Sequence, residues 1–74
     1  MITVTPSMNV DPEILSGEPV FHGTRVPVQT LMDYLKAGDG IEAFLADFPT
    51  VTRAQTTAIL ELAGEALTRY ARSA

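Results

Sequence analysis

Apolar residues recur at helical spacing in three segments of the chain after residue 27. In each segment they fall at i, i+3, i+4 and i+7, which places them on one face of an amphipathic helix. The pattern predicts helices over about residues 28–37, 40–48 and 52–72. The last of these extends past a three-helix core, so we expect its final turns to pack on another surface. The apolar faces comprise Val28, Leu31, Met32 and Leu35, then Ile41, Phe44, Leu45 and Phe48, then Ile59, Leu62, Ala63, Ala66, Leu67 and Tyr70.

The N-terminal residues predict a short strand and a single helical turn. Residues 2–5 alternate apolar and polar β-branched side chains, which favours a strand with one buried face that Pro6 ends. Asp11, followed by a proline and a glutamate, is typical of the N-cap of a helical turn. We expect this turn to run through Leu15 and to end at Gly17.

Residues 17–28 contain two glycines and two prolines, which predicts an ordered loop with extended pieces around Val20–Phe21 and Arg25–Val26. The loop holds one polar cluster: His22, Gly23, Thr24 and Arg25. One interpretation gives Arg25 a contact with a phosphate or a partner's carboxylate, supported by Thr24. The alternative is that Gly23 permits a left-handed turn and Arg25 ties the loop to a local acid. A lone histidine without cysteine predicts no metal site.

These elements predict a mainly α fold class: a short N-terminal strand and loop over residues 1–27, then a three-helix, helix-turn-helix domain of homeodomain-like or winged-helix-like type. The 74 residues predict a single domain spanning 1–74. A domain of this size buries only about 60% of the surface of its unfolded chain. With no cysteine to supply a disulfide, we expect a homodimer.

Charge and hydropathy indicate which partners and which cellular compartment the sequence favours. Nine acidic residues against five basic ones give a formal charge of −4, which disfavours nucleic-acid binding by bulk attraction alone. The first ten residues lack the basic start and apolar run of a signal peptide, and the sequence predicts no membrane-spanning segment. We therefore expect a cytoplasmic protein.

The second and third predicted helices, with a short link around Pro49–Val51, have helix-turn-helix proportions. In that motif the second helix enters the major groove and its first residues reach base edges. The corresponding residues, predicted to form an outward-facing DNA-reading edge within 52–57, are Thr52, Arg53, Gln55, Thr56 and Thr57. Thr52 and Gln55 also have the spacing of a capping box. The alternative is a plain three-helix bundle whose capped helix start is solvated.

The C-terminal segment holds Arg69, Tyr70 and Arg72, residue types that are enriched at interface hot spots. We predict that they bind a partner. The alternatives are that the arginines stabilise the helix dipole and that Tyr70 packs in a core or dimer. For catalysis the sequence offers neither an activated nucleophile nor a glycine-rich phosphate loop, so we expect no enzyme activity and no cofactor.

Several of these segments resemble the family called domain of unknown function four-three-three. The resemblance covers about residues 9–65 and is most specific in Asp-Pro-Glu-Ile-Leu from Asp11 and in Gly-Thr-Arg-Val-Pro from Gly23. It implies a small helix-turn-helix-like domain, often encoded beside a PIN-like ribonuclease toxin and regarded as its VapB-type antitoxin. His22 stands where an arginine is common in such proteins.

We therefore expect an antitoxin of a type II toxin–antitoxin pair. It would neutralise a PIN-like toxin through Arg25, Arg69 or Arg72 and, in complex with that toxin, bind operator DNA and repress its own operon. Two other classes stay open. One is a stand-alone DNA-binding transcriptional regulator, and the other is a protein-interaction module that binds no DNA.

Overall fold

The computed structural model describes residues 2–5, 8–11, 13 and 17–73. Within them the chain forms a small sheet followed by three helices. The strands are β1 (Ile2–Thr5), β2 (Met8–Val10) and β3 (Val20–Phe21), and the helices are α1 (Val28–Lys36), α2 (Ile41–Asp47) and α3 (Arg53–Ser73). The mainly helical fold and each predicted helix are confirmed, with ends that differ from the predicted ones by at most one residue.

The three strands form one antiparallel sheet in the order β1-β2-β3. Ile2 pairs with Val10 across β1 and β2, and Met8 pairs with Phe21 across β2 and β3. The sequence predicted β1 and the extended backbone at β3 but not β2. A three-residue strand is too short for an alternating pattern to emerge, so its pairing is decided by its neighbours.

The core forms where β3, the helices and the link between α2 and α3 meet. Its buried hydrophobic cluster comprises Phe21, Leu31, Phe44, Val51 and Ile59. Phe44, on α2, is fully buried, and its ring centroid lies 5.8 Å from that of Phe21 and 5.5 Å from that of Tyr34 on α1. One aromatic side chain therefore joins the sheet to both short helices.

The connection between α1 and α2 is closed by a glycine and a side-chain bond. Gly38 has a φ of 88°, and its N–H donates to the Leu35 carbonyl at 3.1 Å, which ends α1 in the left-handed conformation that glycine adopts without strain. The Tyr34 hydroxyl then donates to an Asp47 carboxylate oxygen at 2.6 Å and ties α1 to the end of α2.

Helix α3 extends beyond this core. Its first half buries Thr56 and Ile59, whereas Leu67 and Tyr70 are 69% and 75% exposed. The final turns of α3 therefore extend past the core, as its length predicted, and the surface on which they were expected to pack stays a prediction. No helix in the described part of the chain is both long and apolar enough to cross a membrane.

The predicted helical turn after Asp11 lies mostly outside the described residues. Where the chain is described, an Asp11 carboxylate oxygen accepts the N–H of Glu13 at 2.9 Å, as an N-cap side chain does. Gly17, where the turn was predicted to end, has a φ of 86°.

The Tyr34–Asp47 bond predicts a stability change at alkaline pH. The bond to Asp47, followed by desolvation, raises the pKa of the Tyr34 phenol above its ordinary value of 10.0. A raised pKa means that the contribution is complete below about pH 10 and is lost as pH rises through the folded-state pKa. At neutral pH, urea denaturation should give a larger free energy of unfolding for the wild type than for Tyr34→Phe. This difference in free energy should shrink above about pH 10.

Tyr70→Phe is the matched control, because this exposed phenol makes no hydrogen bond among the described residues. Its difference from the wild type should stay flat over the same range. If the difference in unfolding free energy between the wild type and Tyr34→Phe is also independent of pH, the Tyr34–Asp47 bond is contradicted.

Candidate partner-binding surface

The polar loop, residues 22–25, is a tight and internally bonded turn. Phe21 N–H donates to the Val26 carbonyl at 3.0 Å and closes the loop. The Thr24 hydroxyl donates to the Phe21 carbonyl at 2.9 Å and accepts the Val26 N–H at 3.0 Å. Gly23, with a φ of 75°, takes the left-handed position that this reversal requires. Thr24 therefore fixes the backbone on which Arg25 is presented.

Two contacts from other elements hold the same loop. The His22 ring Nδ1 lies 3.1 Å from the Oδ1 of Asn9, a β2 residue that is 1% exposed. The Gln55 side-chain amide donates to the His22 carbonyl at 3.0 Å, a contact between residues 33 positions apart. The polar loop is therefore fixed against both the sheet and the start of α3.

The start of α3 is closed by the predicted capping box. The Thr52 hydroxyl accepts the Gln55 N–H at 3.1 Å, and the Gln55 side-chain oxygen accepts the Thr52 N–H at 2.9 Å. The oxygen of the Gln55 amide thus caps the helix while its nitrogen holds the polar loop. The two candidate sites that the sequence kept separate are parts of one surface.

Arg25 and Arg53 differ in their electrostatic surroundings. Arg53 on α3 forms an ion pair with Glu42 at the start of α2. Arg25 is exposed, and no carboxylate of the described residues lies within ion-pair distance of it. Within the described chain, the local acid that the alternative interpretation required for Arg25 is missing. Arg25 is available to a carboxylate or phosphate of a partner.

The expectation that the whole start of α3 faces outward is wrong for Thr56. Its side chain is fully buried, and its hydroxyl donates to the Arg53 carbonyl at 2.6 Å. The reason is helical spacing: Thr56 lies three residues before Ile59 and so shares its core-facing side. Extending the apolar pattern of α3 one turn toward its start would have found this.

Some of the remaining side chains of the predicted DNA-reading edge are already bonded within the chain and so are not available to DNA. Thr52 and Arg53 are exposed, although Arg53 is paired with Glu42. Gln55 is half-buried, and both ends of its amide are bonded within the chain. A bidentate contact from Gln55 to adenine would break these bonds. The exposed residues Thr52, Arg53 and Thr57 are the candidates left for base or phosphate contacts.

The C-terminal candidates lie at the other end of α3. Arg69, Tyr70 and Arg72 are all exposed, so packing of Tyr70 in this chain's own core is excluded. At 1.5 Å per residue, they lie roughly 20–25 Å along the helix from Gln55. The structure therefore separates these three residues from Arg25. A partner with a small contact area binds either the C-terminal residues or the polar loop, but not both.

The fold and this surface define a small, mainly helical domain in which a three-stranded sheet presents a polar loop beside the start of the last helix. A family model described as protein of unknown function, DUF433, matches residues 8–63. The chain therefore belongs to the DUF433 family, as the resemblance in its sequence predicted.

A solved structure supports the fold. The crystal structure of a DUF433 member protein from Anabaena variabilis ATCC 29413 is similar to this chain with a TM-score of 0.74 and 23% sequence identity. The similarity covers 93% of this chain and 68% of that chain. No curated protein matches the chain. The helix-turn-helix and antitoxin assignments stay predictions.

The double role of Gln55 can be tested by substitution. Gln55→Ala removes one capping bond and the contact to the His22 carbonyl, so we expect a loss of about 1 kcal/mol in unfolding free energy. We also expect faster amide hydrogen exchange at Thr24 and Val26. Thr57→Ser, an exposed change two residues later between residues of similar helix propensity, is the matched control and should change neither. Unchanged exchange in the loop of Gln55→Ala would disprove the bracing contact.

Proposed function

We propose that the protein is the neutralising partner, or antitoxin, of a PIN-like ribonuclease and that Arg25 is the side chain it offers to the nuclease. The observation that carries this proposal is the exposed Arg25, which has no ion-pair partner among the described residues, on a loop held by Thr24, Asn9 and Gln55. The proposal rests on that geometry together with the sequence resemblance.

The chemistry of the target favours an arginine. PIN-type nucleases gather carboxylates around catalytic metal ions, and the planar guanidinium of arginine binds carboxylates in a bidentate manner. A loop that is already bonded into its binding conformation loses little conformational entropy on association. The fixed loop around Arg25 supplies that condition, because Thr24 and Gln55 bond its backbone in the free protein.

Overall charge supports association with the same target. A ribonuclease needs a basic surface for RNA, and a chain with a formal charge of −4 is attracted to such a surface over long range. This attraction is screened by salt, so it predicts an association rate that falls with ionic strength. In this proposal the pair acts in the cytoplasm.

Operator binding is the second part of the proposal and is assigned to the toxin-bound form. Thr52 and Arg53 are its candidates, since both are exposed at the start of α3. The negative net charge of the free protein opposes its approach to DNA. A basic toxin would give the complex a positive net charge and so favour DNA binding. Because Gln55 joins this helix start to the polar loop, the toxin must bind Arg25 without covering Arg53.

The toxin contact is tested by reversing one charge. Arg25→Glu should weaken binding to the purified PIN-like nuclease by about tenfold or more, because a guanidinium–carboxylate contact becomes a repulsion. Isothermal titration calorimetry and an RNA-cleavage assay would measure affinity and neutralisation. The partner to purify is the product of the gene adjacent to the chain's own, which this proposal expects to be a PIN-like nuclease.

Lys36→Glu is the matched control, since it makes the same change in net charge at an exposed cation near the far end of α1. It should leave nuclease binding close to that of the wild type. An unaltered dissociation constant for Arg25→Glu overturns the role of Arg25, and failure of the wild type to bind overturns the antitoxin proposal.

The DNA contact is tested with Arg53→Ala. Loss of this cation should weaken operator binding by the toxin complex and lower the salt dependence of that binding by about one ion. Folding should be little affected, because exposed ion pairs such as Arg53–Glu42 contribute only about 0.2–1 kcal/mol. Gel-shift titrations at several salt concentrations make the measurement, and equal affinity and slope would remove Arg53 from the DNA surface.

The alternative functions give different results in the same assays. A stand-alone regulator would bind the operator without the nuclease and with strong salt dependence. A protein-interaction module would bind its partner and show no gel shift in either state.

A further inference from the structure

His22 is an exposed side chain whose ring is oriented by a buried residue. It is the only histidine of the chain. Its Nδ1 lies 3.1 Å from the Oδ1 of Asn9, which lies on β2 and is 1% exposed. An amide oxygen only accepts hydrogen bonds, so Nδ1 carries the proton and donates it. Asn9 therefore selects one of the two neutral tautomers of the ring.

This tautomer leaves a lone pair on the other ring nitrogen, Nε2. No described residue donates a hydrogen bond to Nε2. The backbone of His22 is fixed as well, because its carbonyl accepts the Gln55 side-chain amide at 3.0 Å. The residue is thus positioned both at its backbone and at Nδ1, and its side chain offers a hydrogen-bond acceptor to a partner.

Arg25, on the same loop, has the opposite hydrogen-bonding character. A guanidinium has five N–H donors and no acceptor. The two residues are three positions apart, and three residues span at most about 11 Å of chain. The 3.0 Å bond from the Phe21 N–H to the Val26 carbonyl closes the loop around them. One contact area of a partner can therefore meet both side chains, one as acceptor and one as donor.

We propose that His22 is a second partner-recognition residue of the polar loop, and that its Nε2 accepts a hydrogen bond from an N–H or O–H group of the nuclease. This group would lie beside the carboxylates that Arg25 binds. The inference rests on the function proposed above and specifies what the nuclease presents to the loop. A basic RNA-binding surface supplies such donors in its lysine and arginine side chains. Asn9 is a positioning residue, because it acts on the partner only through the His22 ring.

The acceptor on His22 adds selectivity to the contact made by Arg25. A partner without a donor at this position would bury Nε2 without a hydrogen bond and lose affinity. A carboxylate at the same position would place its own lone pairs against that of the neutral ring. The loop therefore favours a surface on which carboxylates adjoin basic or hydroxyl side chains over one that is acidic throughout.

The tautomer can be measured in the free protein. Because the chain has one histidine, long-range proton–nitrogen correlation spectra in mildly alkaline buffer report its two ring nitrogens without overlap. We expect a protonated Nδ1 and an unprotonated Nε2 in the wild type. Asn9→Ala should remove this preference, provided that its backbone amide spectrum shows the native fold. The wild-type spectrum decides by itself if that variant does not fold, and a ring protonated mainly at Nε2 overturns the proposal.

Two amide substitutions distinguish the ring nitrogens in a binding assay. His22→Asn places an amide where Nδ1 lies, so it can still bond to Asn9 but offers nothing at Nε2. His22→Gln places its amide near Nε2 and can accept a hydrogen bond there. In calorimetric titrations with the nuclease we expect His22→Asn to weaken binding about five- to tenfold, and His22→Gln to recover most of that loss. Amide hydrogen exchange at Thr24 and Val26 should be the same in His22→Asn as in the wild type.

The outcomes separate this inference from the proposed function. If His22 only ties the loop to β2, the order reverses, with His22→Asn tolerated and His22→Gln weaker, and the proposal is overturned. Wild-type affinity in His22→Asn, or a loss of affinity accompanied by faster exchange in the loop, also overturns it and leaves the Arg25 contact intact. An effect of His22→Asn that disappears when EDTA removes metal ions shows that Nε2 binds a metal and overturns the donor assignment. Failure of the wild type to bind the nuclease overturns the antitoxin proposal and this contact together.

Discussion

The burial of Phe44 is the interaction on which the rest of the structure depends. Its ring contacts Phe21 on β3, Tyr34 on α1 and Phe48 just after α2, with centroid separations of 5.8, 5.5 and 5.1 Å. A chain this small has few apolar side chains to bury, so one fully enclosed aromatic ring carries a large share of the hydrophobic stabilisation. The sheet, α1 and α2 are held together at this point.

The candidate surface follows from that packing. Phe21 is buried in the core, and its backbone closes the polar loop immediately above it. Ile59 anchors α3 in the same core, and one turn earlier Gln55 reaches the loop. The backbone that carries Arg25 is therefore held by Phe21 on one side and by Gln55 on the other. Packing of the core thus fixes the loop on which Arg25 is exposed.

Helix α3 divides into two halves with different roles. The first half packs on the core through Thr56 and Ile59 and braces the polar loop through Gln55. The second half adds no buried residue to the core, and its apolar side chains, Leu67 and Tyr70, face solvent. In the function proposed above, the first half serves the contact with a nuclease.

The features that sequence determined by itself are local ones. The apolar spacing located three helices, Gly38 ended one of them, and the Thr52–Gln55 box began another, because each depends on residues within one or two turns. Contacts between distant residues were decided only by the tertiary structure. The Gln55–His22 bond spans 33 positions, and β2 exists because its neighbours pair with it. The burial of Thr56 is an intermediate case. Helical spacing places Thr56 on the buried face of α3, but a search for apolar residues overlooks it because its side chain is polar. Hydrophobic periodicity reports which face of an element is buried, whereas only packing decides which elements meet there.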